Sequence, residues 1–239
     1  ELRKTALPEE STCLSCHTAA GAASTNINAQ FTKTYKHPIT SKSGTHKTGE
    51  STSADFWGTG GANRHVECED CHKPHSRWPG LHDTGNNAVS PMEATSGIRV
   101  QNNTAWTAPT YTFQSSAAYE YETCFRCHSS WAYGATPPDS PSAVGWVWNT
   151  QTLASVKETD QSVEFNALNY SHHAIGQPGR NQPPVNANPN WPANGLGLSN
   201  NFVSPWTSKS ILQCTDCHAS NTSSEPRGVH GSTNRFILR

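Results

Sequence analysis

Eight cysteines and twelve histidines are the residues of this 239-residue chain best suited to chemistry, and every cysteine falls into one pattern. They read Cys13-Leu14-Ser15-Cys16-His17, Cys68-Glu69-Asp70-Cys71-His72, Cys124-Phe125-Arg126-Cys127-His128 and Cys214-Thr215-Asp216-Cys217-His218. Cys-x-x-Cys-His is the attachment signal for c-type haem. On a helical turn, Cys at i and i+3 share a face, from which both thiols reach the porphyrin vinyl groups as thioethers. His at i+4 then projects beneath the ring as the proximal iron ligand. Structural zinc would gather the eight thiols into two Cys₄ sites, but it does not call for a His after every pair. Thioredoxin-like redox chemistry needs one such pair in a βαβ setting, not four along a loop-rich chain. A disulfide framework would seldom put every cysteine at one short spacing. The reading is four covalent haem c groups, with His17, His72, His128 and His218 as proximal ligands.

What fills the sixth position of each iron decides between electron transfer and catalysis. Eight further histidines compete for four positions, whereas the single methionine, Met92, could serve one haem at most. Bis-His ligation throughout is the economical expectation. His37, before Pro38, sits in the first interval, and His65 lies three residues ahead of Cys68. His173, next to His172, belongs to the long third interval, and His230 stands between Gly228 and Gly231. These four, His37, His65, His173 and His230, are the favoured distal ligands. His75, His46 and His172 rank behind them, and His82 is expected at the surface.

The composition fits a chain whose core is supplied from outside. Hydrophobic residues make up 33% and charged residues 15%, so there is little aliphatic material to bury and little charge repulsion to hold the chain open. Porphyrins provide the missing apolar faces. No apolar run approaches the roughly 18–20 residues a bilayer crossing needs. A net charge of −1 excludes a strong nonspecific nucleic-acid binder. Two propionates per haem, against roughly one positive charge per oxidised centre, move that charge to about −5. Thioether formation takes place beyond the cytoplasmic membrane. With Glu1 in place of a start methionine, the expectation is an exported protein, extracellular or at the cell surface, with the periplasm as alternative.

The elements that must carry the motifs are short. Mostly coil, with short α-helices, few short strands and one tetrahaem domain over residues 1–239, is the expected architecture. Pro8-Glu9-Glu10 opens a first helix, Ser115 or Ser116 caps one running from Ala117 to Trp131, and Ser204-Pro205 starts one up to Ala219. Alternation from Thr104 to Phe113 suggests an irregular strand, with weaker candidates at 145–148 and 235–239. Gly176 to Asn201 reads as loop. The motifs begin 55, 56 and 90 residues apart, and the intervening sequence does not by itself establish a repeat.

Four such motifs in a chain rich in Ser, Thr and Asn resemble the outer-surface multihaem cytochromes of metal-respiring bacteria, and within them the OmcE-like tetrahaem group. The resemblance is carried by the motifs, by Arg64-His65-Val66-Glu67-Cys68 running into Cys71-His72-Lys73-Pro74-His75, and by Val229-His230-Gly231-Ser232 with Phe236. It implies self-association into extracellular filaments with a continuous haem chain, where a His of one subunit can ligate a haem in the next. Redox partners would be other cytochromes or extracellular acceptors. A soluble periplasmic shuttle is the alternative, and a multihaem reductase, which needs an open iron position, ranks third; an electron carrier without catalytic residues is the expectation.

Overall fold

The computed structural model describes residues 9–23, 25–39, 66–74, 88, 90–133, 160–179 and 210–239. Within them the chain is mostly coil, punctuated by one- and two-turn helices and two small antiparallel ribbons. The helices are α1 (Glu9–Leu14), α2 (Cys68–Cys71), α3 (Glu120–Phe125), α4 (Ser130–Tyr133), α5 (Gln161–Glu164) and α6 (Cys214–Cys217). Single 3₁₀ turns occur at Gln30–Thr32, Ser90–Met92 and Arg235–Ile237. No described helix is long and apolar enough to cross a membrane.

Helices this short lie far below the length at which helices hold themselves together, so each depends on its ends and its neighbours. The acid in the third helical position does this for α2 and α6. Asp70 Oδ2 accepts the Glu67 amide at 2.8 Å, and Asp216 Oδ2 accepts the Gln213 amide at 2.8 Å. In α3 the same part falls to Glu122, which takes the Ala118 and Tyr119 amides on Oε2 and Arg99 Nε on Oε1 at 2.7 Å. Neither Ser115 nor Ser116 caps this helix; its N-cap is Tyr119. The expected run from Ala117 to Trp131 is two helices, α3 and α4, separated by the motif's own turn. At the fourth motif the helix spans only Cys214–Cys217 rather than continuing to Ala219, and Ser204-Pro205 lies outside the described residues.

The larger ribbon pairs β2 (Gly97–Gln101) with β3 (Thr110–Gln114), from Gly97 opposite Gln114 to Gln101 opposite Thr110. The strand expected from Thr104 thus begins only at Thr110. Residues 104–107 instead form a turn in which the Thr107 hydroxyl donates to the Thr104 carbonyl, Trp106 adopts φ 59°, and the Trp106 amide is held by Asn169 Oδ1 at 2.7 Å. Asn169 also donates to the Val163 and Glu164 carbonyls and is fully buried, so its side chain holds this turn in place. The smaller ribbon pairs β1 (Tyr35–Lys36) with β4 (Gly231–Ser232) and joins the first interval to the C-terminal segment. The terminal residues 235–239, a weak strand candidate, hold a 3₁₀ turn; 145–148 and most of the loop read from Gly176 to Asn201 lie outside the described residues.

The apolar cluster is small: Ile98, Tyr121, Phe125 and Ile175, with Val100, Tyr111, Phe165 and Leu212 against it. The Phe125 and Phe165 rings lie nearly parallel, 6.3 Å apart. Burying a side chain of this kind contributes about 1.5–3 kcal/mol.

Candidate haem sites

All four motifs lie within the described residues, and each closes one α-turn on itself. The amides of His17, His72, His128 and His218 donate to the carbonyls of Cys13, Cys68, Cys124 and Cys214 at 3.1, 2.8, 2.9 and 2.9 Å. The two cysteines and the histidine of each motif are thereby fixed on neighbouring positions of a single turn.

The histidine rings are oriented from behind. His72 Nδ1 donates to the Pro91 carbonyl at 2.9 Å and His218 Nδ1 to the Phe236 carbonyl at 2.7 Å. His37 Nδ1 donates to the Val229 carbonyl at 2.8 Å. A carbonyl only accepts, so each ring carries its proton on Nδ1 and turns the Nε2 lone pair outward, the tautomer a metal ligand needs. His17 Nδ1 lies 3.5 Å from the Thr25 hydroxyl, a looser contact.

Two of the favoured distal histidines face proximal ones. The rings of His37 and His128 have centroids 6.2 Å apart at 57°, and those of His72 and His230 are 5.9 Å apart at 19°. With a metal–nitrogen distance of about 2.0–2.1 Å and about 1.1 Å from ring centre to nitrogen, two imidazoles on one metal are roughly 6.3 Å apart. Both histidines flank the small ribbon, His37 directly after Lys36 and His230 directly before Gly231, which pair with each other. The ribbon thereby brings one histidine to the second motif and one to the third. Behind His230, Gly228 has φ +101°, and a Cβ there would come within 3.1 Å of the ring's Cε1. Burial, then the neighbouring His72 and His37, pull the His230 pKa down to about 4, and burial lowers that of His72. Both rings are neutral near pH 7, as ligation requires.

The motifs themselves pack in the order one, two, three, four. Cys13 and Cys68 Sγ lie together beside the Glu9 carboxylate, and Cys124 and Cys214 Sγ lie together beside that of Glu120. Between these clusters, Arg126 of the third motif pairs with Asp70 of the second at 3.3 Å, both buried. Cys16 and Cys217, in the outermost motifs, are exposed, whereas Cys71 and Cys127 of the inner motifs are partly covered. Contact with Cys13, then burial, pushes the Cys68 thiol pKa far up; contact with Cys214, then burial, does the same to Cys124, and burial raises Cys71 to about 12. Each Glu–Cys–Cys cluster draws only the first cysteine from each motif. The donor set suits haem better than a Cys₄ metal. Arg126 Nε, buried with no hydrogen-bond partner among the described residues, adds a donor suited to a propionate.

His173 lies on a turn beside Phe165, with ring centroids 6.2 Å apart, and its carbonyl accepts the Ile175 amide; among the described residues its ring contact is with Phe165 and not with a proximal histidine. His172 precedes it on the same turn, half-buried. His65, His75, His46 and His82 lie outside the described residues. The carbonyls of Pro91 and Phe236, which aim two proximal rings, were not readable as site residues, because a backbone acceptor leaves no mark on residue type. Comparison of the chain with protein-family models, characterised proteins and solved structures returned no match.

Proposed function

We propose that this chain is a tetrahaem c-type cytochrome that transfers electrons, and that it assembles into an extracellular filament. The observation that carries the haem reading is the four Cys-x-x-Cys-His turns, supported by two imidazole couples, His37 with His128 and His72 with His230, whose ring separations are compatible with one metal ion between them. Cys13, Cys16, Cys68, Cys71, Cys124, Cys127, Cys214 and Cys217 would hold the four groups covalently, with His17, His72, His128 and His218 beneath the irons. Bound haem supplies a reversible one-electron couple. The chain's own part is to orient the imidazoles through carbonyl acceptors, to close the sixth position with a second histidine, and to keep water from the inner motifs. Two neutral imidazoles leave no position for a substrate, which favours electron carriage over a reductase.

The order of the motifs supports a conduit. Contacts run from the first to the fourth, and the outermost motifs turn an exposed cysteine edge to solvent, where electrons could enter and leave. A filament subunit uses both ends at once. A soluble shuttle, the alternative, needs only one.

The test is to mature the chain in a host that attaches c-type haem and to titrate it spectroelectrochemically, with negative-stain microscopy of the same material. The expected result is low-spin haem throughout, reversible reduction and filaments of repeating subunits. A high-spin ferric signal in the intact protein would contradict full bis-His ligation. Discrete particles at every concentration would reduce the reading to the shuttle.

A further inference from the structure

The two halves of the chain repeat the same contacts, although their sequences barely match. Glu9 stands four residues before Cys13, and Glu120 four before Cys124. Each reaches the amide just after the first cysteine of the next motif: Glu9 Oε1 accepts from Glu69 at 2.6 Å, and Glu120 Oε1 accepts from Thr215 at 2.9 Å. The second motif of each half carries an aspartate that caps its own turn, in Glu67-Cys68-Glu69-Asp70 and Gln213-Cys214-Thr215-Asp216. The proximal histidine of each second motif donates to a carbonyl on a short downstream turn, Pro91 or Phe236, the second turn being left-handed at Phe236. The carbonyl of each first-motif histidine accepts a downstream amide, Asn28 on His17 and Gln161 on His128. His37-Pro38-Ile39 matches His173-Ala174-Ile175, each isoleucine buried and donating its amide back to the histidine carbonyl, at 3.0 and 2.8 Å. The longer second half takes up its extra residues between these fixed points.

We infer that the chain is a duplicated dihaem unit, and that Glu9 and Glu120 are equivalent positioning residues, each locking the two haem motifs of its unit together and holding that unit's haems at lower potential. The inference rests on the haem reading above. Each carboxylate is buried, with Glu120 wholly inaccessible, and one of its oxygens lies within 4.8 Å of the sulfurs of both first cysteines of its unit, the atoms that would become thioether sulfurs. Glu120 is also held by the Thr215 hydroxyl at 2.8 Å, a second charge-assisted bond. The bonds to the partner motif's amide and hydroxyl fix the spacing of the two attachment turns. A negative charge away from water favours the ferric over the ferrous centre, since oxidation adds positive charge. Neither glutamate serves as an iron ligand in the reading above, so the role lies outside the ligand set.

The test compares haem-loaded full-length wild type with Glu9→Gln, Glu120→Gln and Glu120→Asp by intact mass and by spectroelectrochemical titration. Glutamine keeps an acceptor for the partner amide and removes the charge; aspartate keeps the charge. Glu120→Gln is expected to raise two of the four potentials. At the wild-type midpoint the ferric-to-ferrous ratio of that pair falls roughly fivefold or more, with the other two centres unmoved. Glu9→Gln is expected to raise the other two, and it tests the claim alone if the Glu120→Gln chain does not accumulate. Glu120→Asp stays close to wild type. Four haems attached with unchanged potentials in both glutamine variants would overturn the inference, as would both variants moving the same two centres or Asp moving them as far as Gln. Wild type with fewer than four haems overturns the cytochrome reading itself, and the role of the glutamates with it; the intact mass separates that result from the others.

Discussion

The first pair of Cys-x-x-Cys-His motifs and the second use the same clasp, yet among the described residues the apolar cluster lies around the second pair. Phe125, one residue after Cys124, is buried among Ile98, Tyr121 and Ile175. Leu14, at the same place after Cys13, is only partly covered, and no fully buried aliphatic cluster surrounds it among the described residues. The second unit also has a polar anchor. Asp160 caps α5 through the Ser162 amide and takes the Tyr111 hydroxyl and the Ser130 amide on its other oxygen. Among the described residues, protein packing thus surrounds the second pair of motifs more closely than the first.

That contrast can be broken most severely at Phe125. Phe125→Ala is expected to destabilise the loaded protein by about 3–5 kcal/mol, through lost transfer energy and the cavity left behind. Leu14→Ala should cost about 1 kcal/mol, since a half-exposed side chain has less to lose. Chemical denaturation followed by haem absorbance measures both, and equal losses would refute the asymmetry. Next comes Asp160→Ala, which strips a helix cap and leaves buried donors unmatched, at a cost of about 2 kcal/mol. Gly228→Ala sharpens the comparison from the side of the ribbon. A side chain at φ +101° is strained by about 1–3 kcal/mol and meets the His230 ring, so the haem spectrum should change together with stability. The smallest effect belongs to Lys33 and Glu225, paired at 2.6 Å between the first and last segments. Lys33 holds the Glu225 pKa below its ordinary value. The contribution is therefore present above the usual carboxylate pKa and lost as pH falls through the lowered one. Lys33→Met should flatten that part of the acid unfolding curve only slightly, because the pair is solvent-screened.

The turn at each Cys-x-x-Cys-His motif was legible because its pattern is local: two cysteines and a histidine on one turn need no distant partner to be recognised. The coil-rich architecture was legible for the same reason, from Pro, Gly, Asn and Ser. His37 and His230 stood out by their flanking proline and glycines, but the ribbon that sets them opposite one another pairs residues 35–36 with 231–232, which no local pattern signals. The strand read from Thr104 failed because alternation cannot reveal that Trp106 will turn left-handed to meet Asn169. The Ser115 and Ser116 caps failed because Glu122 satisfies the start of α3 from inside the helix. The likeness of the two halves leaves little mark on the sequence because its matching points are mostly backbone contacts. Glu-x-x-x-Cys-x-x-Cys-His at residues 9–17 and 120–128, with His-x-Ile at 37–39 and 173–175, were the signals that could have disclosed it.

The most direct measurement is the intact mass of the matured chain under denaturing conditions, where only covalent partners survive. The account predicts the polypeptide plus four haem groups, and loss of one haem's mass when the two cysteines of any one motif are replaced by serine. A polypeptide mass without haem, or one that is unchanged by those replacements, would contradict it.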